Sequence, residues 1–214
     1  MLRTPARALA IIFALSGTAT AHPHEFYEGG ADFLFDENGH LAAVRIVWVY
    51  DEFTTLYVLS ENGLDPTQSP QGDGLDRILA TQVGWTAAEW EGDAYLRDDS
   101  GKNVALGDPV HPLATVHEGQ LVVIFERQLA APIDMAAGPV ELLIYDPSFY
   151  AQYTINKRPR IEGRDDCTAE IVNFRMTPEA ALKLSDLMAL TIDEMPDDPN
   201  VGAEFAERLV LKCD

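Results

Sequence analysis

Basic side chains are scarce in this chain. Among 214 residues, 15 lysines and arginines stand against 35 aspartates and glutamates, a formal net charge of -20 at pH 7. A surface this acidic repels nucleic acid and anionic membrane, so neither is expected as a partner. Long apolar runs are missing too: Ala8 to Leu15 is far too short to span a bilayer, and no later run is longer. There are only two cysteines, Cys167 and Cys213, and no C-x-x-C pair, which argues against a thiolate metal site. In an oxidising compartment the even, sparse count reads as one disulfide, worth about 4 kcal/mol at most in the chain-entropy model. No phosphate-binding loop, G-x-S-x-G elbow or H-E-x-x-H helix is present, so no nucleotide cofactor is expected. Asp65 to Pro70 starts like a calcium loop but carries Pro70 where the glycine is required, which excludes an intact EF-hand.

The amino-terminal stretch is rich in information. Arg3 and Arg7, the apolar run Ala8 to Leu15 and the small residues Ala19-Thr20-Ala21 have the order of an export signal over residues 1–21. The two arginines are separated, against a twin-arginine signal, and no cysteine sits at the cleavage point, against a lipid anchor. The expectation is a single soluble periplasmic domain over 22–214, with no transmembrane anchor after cleavage.

Cleavage after Ala21 would expose His22-Pro23-His24. A terminal histidine offers an α-amine and an imidazole, a two-nitrogen chelate suited to Zn, Ni or Cu. Pro23 lacks a backbone N–H, so the three-residue copper/nickel motif that needs two deprotonated amides cannot form in full. The histidine brace, using the amine and the His22 ring, remains open. His22 and His24 are therefore the candidate metal ligands. His40 falls in a turn and reads as solvated. His111 and His117 are spaced to share one face of an extended strand, although Pro112 disturbs it, and are candidates for a further ligand. Asp51 and Asp146 read as a helix cap and a turn former, with a second reading as oxygen ligands.

Along the chain, Glu25 to Phe35 and Leu41 to Tyr50 read as strands around the turn Asp36-Glu37-Asn38-Gly39. Asp51 opens a helix in which Phe53, Leu56, Tyr57 and Leu59 recur at helical spacing, and a second helical stretch covers Leu75 to Trp90. This makes a helical insertion over about 51–91. Strands are expected at Ala94 to Arg97, Asn103 to Leu106, Gln120 to Leu129, Val140 to Tyr145, Tyr150 to Ile155 and Ala169 to Arg175. The run Leu121 to Phe125 is too apolar for a half-exposed strand. Lys157 to Arg164 gathers basic residues in a loop, either solvated or anion-binding. Thr177-Pro178-Glu179 starts a helix. Leu209 to Cys213 is ambiguous; as a strand, it would be pinned by the disulfide beside the one leaving Cys167. The fold class is α+β, mostly β: an antiparallel sheet or sandwich with an inserted helical pair and a helix near the carboxyl end.

Several segments together resemble a known family: Ala21-His22-Pro23-His24, Phe35-Asp36 with Leu41 to Arg45, Trp48 to Phe53, Ala105 to Pro109, Tyr145 to Tyr150 and Cys167 to Glu170. The chain is similar to the exported bacterial proteins called domain-of-unknown-function family 1007. That resemblance implies a periplasmic component of an uncharacterised ABC-type transport system, often associated with nickel/cobalt-type or zinc transport. Relatives often carry an EF-hand-like acidic segment after the first helix, from which Leu64 to Gly74 departs. The function expected is non-enzymatic: a periplasmic transition-metal binding protein or metallochaperone serving an inner-membrane metal transporter. One alternative is a copper-dependent oxidase built on the brace; another is a metal-free accessory subunit of a transporter.

Overall fold

The structure is a computed structural model, described here for residues 23–83, 93–191 and 193–214. Strand exceeds helix, 43% to 20%, in keeping with the mostly-β expectation. The first hairpin joins β1 (Glu25–Phe35) to β2 (Leu41–Tyr50). Its turn is held by Asp36, whose Oδ1 accepts the Asn38 and His40 amides at 2.9 Å each. Helices α1 (Glu52–Glu61) and α2 (Asp73–Gln82) follow. Then come β3 (Ala94–Arg97), β4 (Asn103–Val104), β5 (Leu106–His117), β6 (Gln120–Ile133), β7 (Val140–Ile144), β8 (Ala151–Ile155), β9 (Ile161–Glu162) and β10 (Cys167–Val172). Helix α3 (Pro178–Leu187) and β11 (Glu207–Cys213) complete the order. The Trp85 and Trp90 part of the second expected helix lies outside the described residues.

Two sheets share one apolar core. The first has the order β5-β6-β2-β1-β8, with β9 also against β1; the second runs β10-β11-β7-β3-β4. Most pairs are antiparallel, but β1 runs parallel to both β8 and β9. Alternate residues meet in the core: Phe33 from β1, Ile46 from β2 and Phe125 from β6 against Leu96, Leu142 and Leu209 from the other sheet. Cys167 stands directly opposite Cys213, and the disulfide closes between them at a Cα separation of 4.0 Å. The strand reading of the carboxyl end holds for that reason. A smaller core of Phe149, Leu187, Val201 and Phe205 seats α3 and the following 3₁₀ turn Val201–Glu204. Gly202 packs there against the 146–147 turn: a Cβ would lie 1.8 Å from the Asp146 carbonyl oxygen.

Three sequence expectations are corrected. A single strand over Asn103 to Leu106 is instead β4 followed by β5, a long strand disguised by Pro109 and Pro112. Those prolines are tolerated because β5 is an edge strand, where a missing N–H costs no ladder bond. The apolar run in β6 is central but buries one face only: Leu121, Val123 and Phe125 are buried, Val122 and Ile124 half-buried. On α1, Phe53, Leu56 and Tyr57 are exposed while Thr54, Thr55, Val58 and Leu59 face inward. Thr55 decides that orientation, because its hydroxyl accepts the Leu121 amide at 2.9 Å and so docks the helix on β6.

The outer face of the first sheet carries a row of charges. Asp32, Arg45 and Glu126 are neighbours on β1, β2 and β6. Arg45 bonds Glu126 at 2.8 Å and Glu162 at 2.5 Å, and lies 3.6 Å from Asp32. The buried Asp32 also takes the Arg160 guanidinium at 2.9 Å and the Arg160 amide at 3.0 Å. Two of the loop's basic residues are thereby committed to carboxylates, since Arg164 likewise bonds Asp166.

Candidate functional site

The opposite, core-side face of β1 presents something different at its amino-terminal end. Tyr27 pairs with Tyr50 on β2 and with Tyr153 on β8, so strand register alone sets three phenols in a row. Tyr27 meets Tyr50 edge-on, with centroids 4.7 Å apart at 81°, and stacks on Tyr153 at 5.0 Å and 26°. Such edge and offset contacts suit the ring quadrupoles. Trp48 and Tyr150 complete the aromatic walls of a cleft of about 250 Å³.

Three carboxylates open onto the same cleft: Glu25, Asp93 and Asp146. Glu25, two residues before Tyr27 and therefore on the same strand face, accepts its hydroxyl. Asp93 is 2% exposed and sits just ahead of β3 with φ 54°, a left-handed conformation that aspartate tolerates. Its Oδ2 accepts the Tyr153 hydroxyl at 2.5 Å. Asp146 closes the turn before β8: its oxygens accept the Ser148 amide and the Ala151 amide, both at 2.9 Å, and the Ser148 hydroxyl. No lysine, arginine or histidine is among the described residues that line the cleft. Burial pushes the phenols of Tyr27, Tyr50 and Tyr153 up, and nearby carboxylates push them further.

The residues singled out from sequence are dispersed around this feature. His22 lies outside the described residues. His24 is half-buried at the start of β1: its amide donates to the Tyr150 carbonyl at 2.7 Å, and its ring lies 4.8 Å from the Tyr150 ring. It therefore stands beside a wall of the cleft. His111 and His117 belong to β5, three strands away from β1, roughly 14 Å at the usual strand spacing. Their even spacing is interrupted by a register shift between Val110 and Leu113, with His111 at φ 53°. The His111 ring is engaged with Glu126 at 3.1 Å. Neither histidine is brought to His24. Asp51 caps α1, accepting the Thr54 amide and hydroxyl at 2.8 Å, and Asp146 is the turn former expected, now also on the cleft. Among the described residues, no group of three or more His, Cys, Asp or Glu is arranged to hold a metal ion. The three cleft carboxylates stand apart around the aromatic walls and do not converge on a point.

Sequence reasoning missed Glu25, Asp93 and the tyrosines. Glu25 and Tyr27 carried a usable signal, sharing one face of a well-defined strand beside the singled-out His24. Asp93 carried none, because nothing local connects it with Tyr153.

The fold and the cleft define a mostly-β, two-sheet protein with an acidic aromatic recess at one end of its first strand. The chain belongs to the family described as protein of unknown function (DUF1007), whose model matches residues 7–213. No curated protein and no solved structure matches it. No helix among the described residues is long and apolar enough to cross a membrane.

Proposed function

We propose that this is a non-enzymatic periplasmic protein that holds a transition-metal ion at the start of β1 and passes it to an inner-membrane metal transporter. The observation that supports this reading is the position of His24, anchored through its backbone beside a cleft with three carboxylates and no basic side chain in its described lining. The carboxylates attract cations, while an imidazole supplies the nitrogen donor that selects Zn, Ni or Cu over Ca or Mg. Cleavage after Ala21 would add the His22 ring and the α-amine within about 7 Å of chain from His24. The copper-oxidase alternative receives no such support, since β5 keeps His111 and His117 on the far side of two intervening strands.

Calorimetric titration of Zn, Ni and Cu into mature protein, its amino terminus verified by mass spectrometry, tests the proposal. Wild type should bind at least one of these ions about tenfold or more tighter than a His22→Ala, His24→Ala double variant. Equal affinities would sink it.

One observation favours a second reading, a metal-free interaction subunit. Phe53, Leu56 and Tyr57 leave the outer side of α1 apolar and exposed, at 80%, 51% and 57%, as partner-binding surfaces often are. Metal analysis of untagged protein taken from the periplasm separates the two.

A further inference from the structure

We infer that the aromatic cleft is a binding site for a small alkylated ammonium solute. This assignment shares the cleft carboxylates with the metal proposal but uses neither His22 nor His24.

Three observations converge on that chemistry. The first is the wall: Tyr27, Trp48, Tyr50, Tyr150 and Tyr153 surround one recess. Ring faces attract cations through their quadrupole, best when the cation is weakly hydrated and the site partly dry. The second is charge. Glu25 and Asp146 bring negative charge to the recess, and no lysine, arginine or histidine is among its described lining residues. The third is size: about 250 Å³ is below the range of drug-sized pockets and suits a compact head group.

The hydrogen bonds already made inside the cleft narrow the class further. Asp146 accepts from the Ser148 amide, the Ser148 hydroxyl and the Ala151 amide, which uses most of its lone-pair directions. Asp93 accepts from Tyr153, and Glu25 from Tyr27. A bare divalent ion needs several direct oxygen ligands and would have to strip these donors away. A primary ammonium would compete for the same lone pairs with three N–H groups. An alkylated ammonium asks for neither: it presents methyl groups to the aromatic walls and takes the carboxylates' charge through space. The phenols of Tyr27 and Tyr153 fit this arrangement, because they are uncharged donors to the acids.

Calorimetry on metal-stripped, full-length mature protein with choline chloride tests the assignment, with 3,3-dimethylbutan-1-ol as the neutral isostere. Choline should bind saturably and the isostere about tenfold or more weakly. Glu25→Gln and Asp93→Asn should each weaken choline about tenfold. Asparagine retains tolerance of the positive φ at position 93; if that variant nevertheless fails to fold, Glu25→Gln carries the test, checked by an unchanged thermal melt. No choline binding, equal binding of the isostere, or indifference to Glu25→Gln in folded protein overturns the inference. Sedimentation with phosphatidylcholine vesicles is the second arm: retention on vesicles without binding of free choline overturns the assignment to a solute. Zinc, nickel and copper titrated into the same preparation keep the outcomes separate. Metal binding without choline binding defeats this inference alone, and choline binding without metal binding defeats the metal proposal alone.

Discussion

Two sets of carboxylates lie on opposite sides of the first sheet, and they are treated differently. On the outer face Asp32 and Glu126 flank Arg45, with Arg160 and Glu162 extending the row. On the inner face Glu25, Asp93 and Asp146 surround a recess whose described lining holds phenols but no cation. An acid satisfied by a guanidinium is a cross-strand tie, with its charge cancelled within the fold. Glu25, satisfied by the Tyr27 phenol, keeps its hydrogen bond and also its negative charge, which remains available to something from outside. The difference separates acids that hold the sheet together from acids that hold a field.

Removing the central guanidinium should have the largest effect on stability. Arg45→Ala leaves the buried Asp32 and the partly buried Glu126 short of a partner and should cost about 2 kcal/mol or more, read as a lower urea midpoint at unchanged slope. Acid should act next, and selectively on the same row. Burial pushes the Glu126 carboxyl up, but the hydrogen bonds from Arg45 and His111 outweigh it and hold that carboxyl below its usual range. A lowered folded-state value means that the stabilisation is complete above the unfolded pKa, roughly 4.3, and is lost as pH falls through the lower folded one. Urea midpoints at pH 7 and pH 3 should therefore differ less in Glu126→Gln than in wild type. The smallest effect belongs to the cleft. Glu25→Gln still offers Tyr27 an acceptor and removes only an uncompensated charge, so its melting should stay within about 0.5 kcal/mol of wild type. A loss there as large as that of Arg45→Ala would erase the distinction between the two faces.

Much of the scaffold was legible because its causes are local. The turn at Asp36 to Gly39, the Asp51 and Thr177 caps, and the strand leaving Cys167 depend on residues within a few positions of one another. The likeness to the family, carried by short segments along the chain, is borne out by the match over residues 7–213. Strand β5 was hidden because its prolines forbid a central strand and only the sheet order shows that it is an edge. The exposed side of α1 was hidden because helical spacing groups apolar residues without saying which group will be buried. That choice fell to Thr55 and its bond to β6.

For the candidate site the division is sharper. Chain order alone put His22 and His24 side by side, because a chelate of neighbours needs no fold. It also set Glu25 and Tyr27 on one strand face through the two-residue period of β structure. Only the tertiary arrangement brought Tyr50, Asp146 and Tyr153 to them, through the pairing of β1 with β2 and, in parallel, with β8, and set Asp93 against Tyr153 from the second sheet. The same arrangement carried His111 and His117 away to the sheet's edge. Residues dozens of positions apart have no local energy that depends on one another. Their meeting is decided when the sheets close over the shared core, and at that point a row of ordinary tyrosines becomes the wall of a cleft.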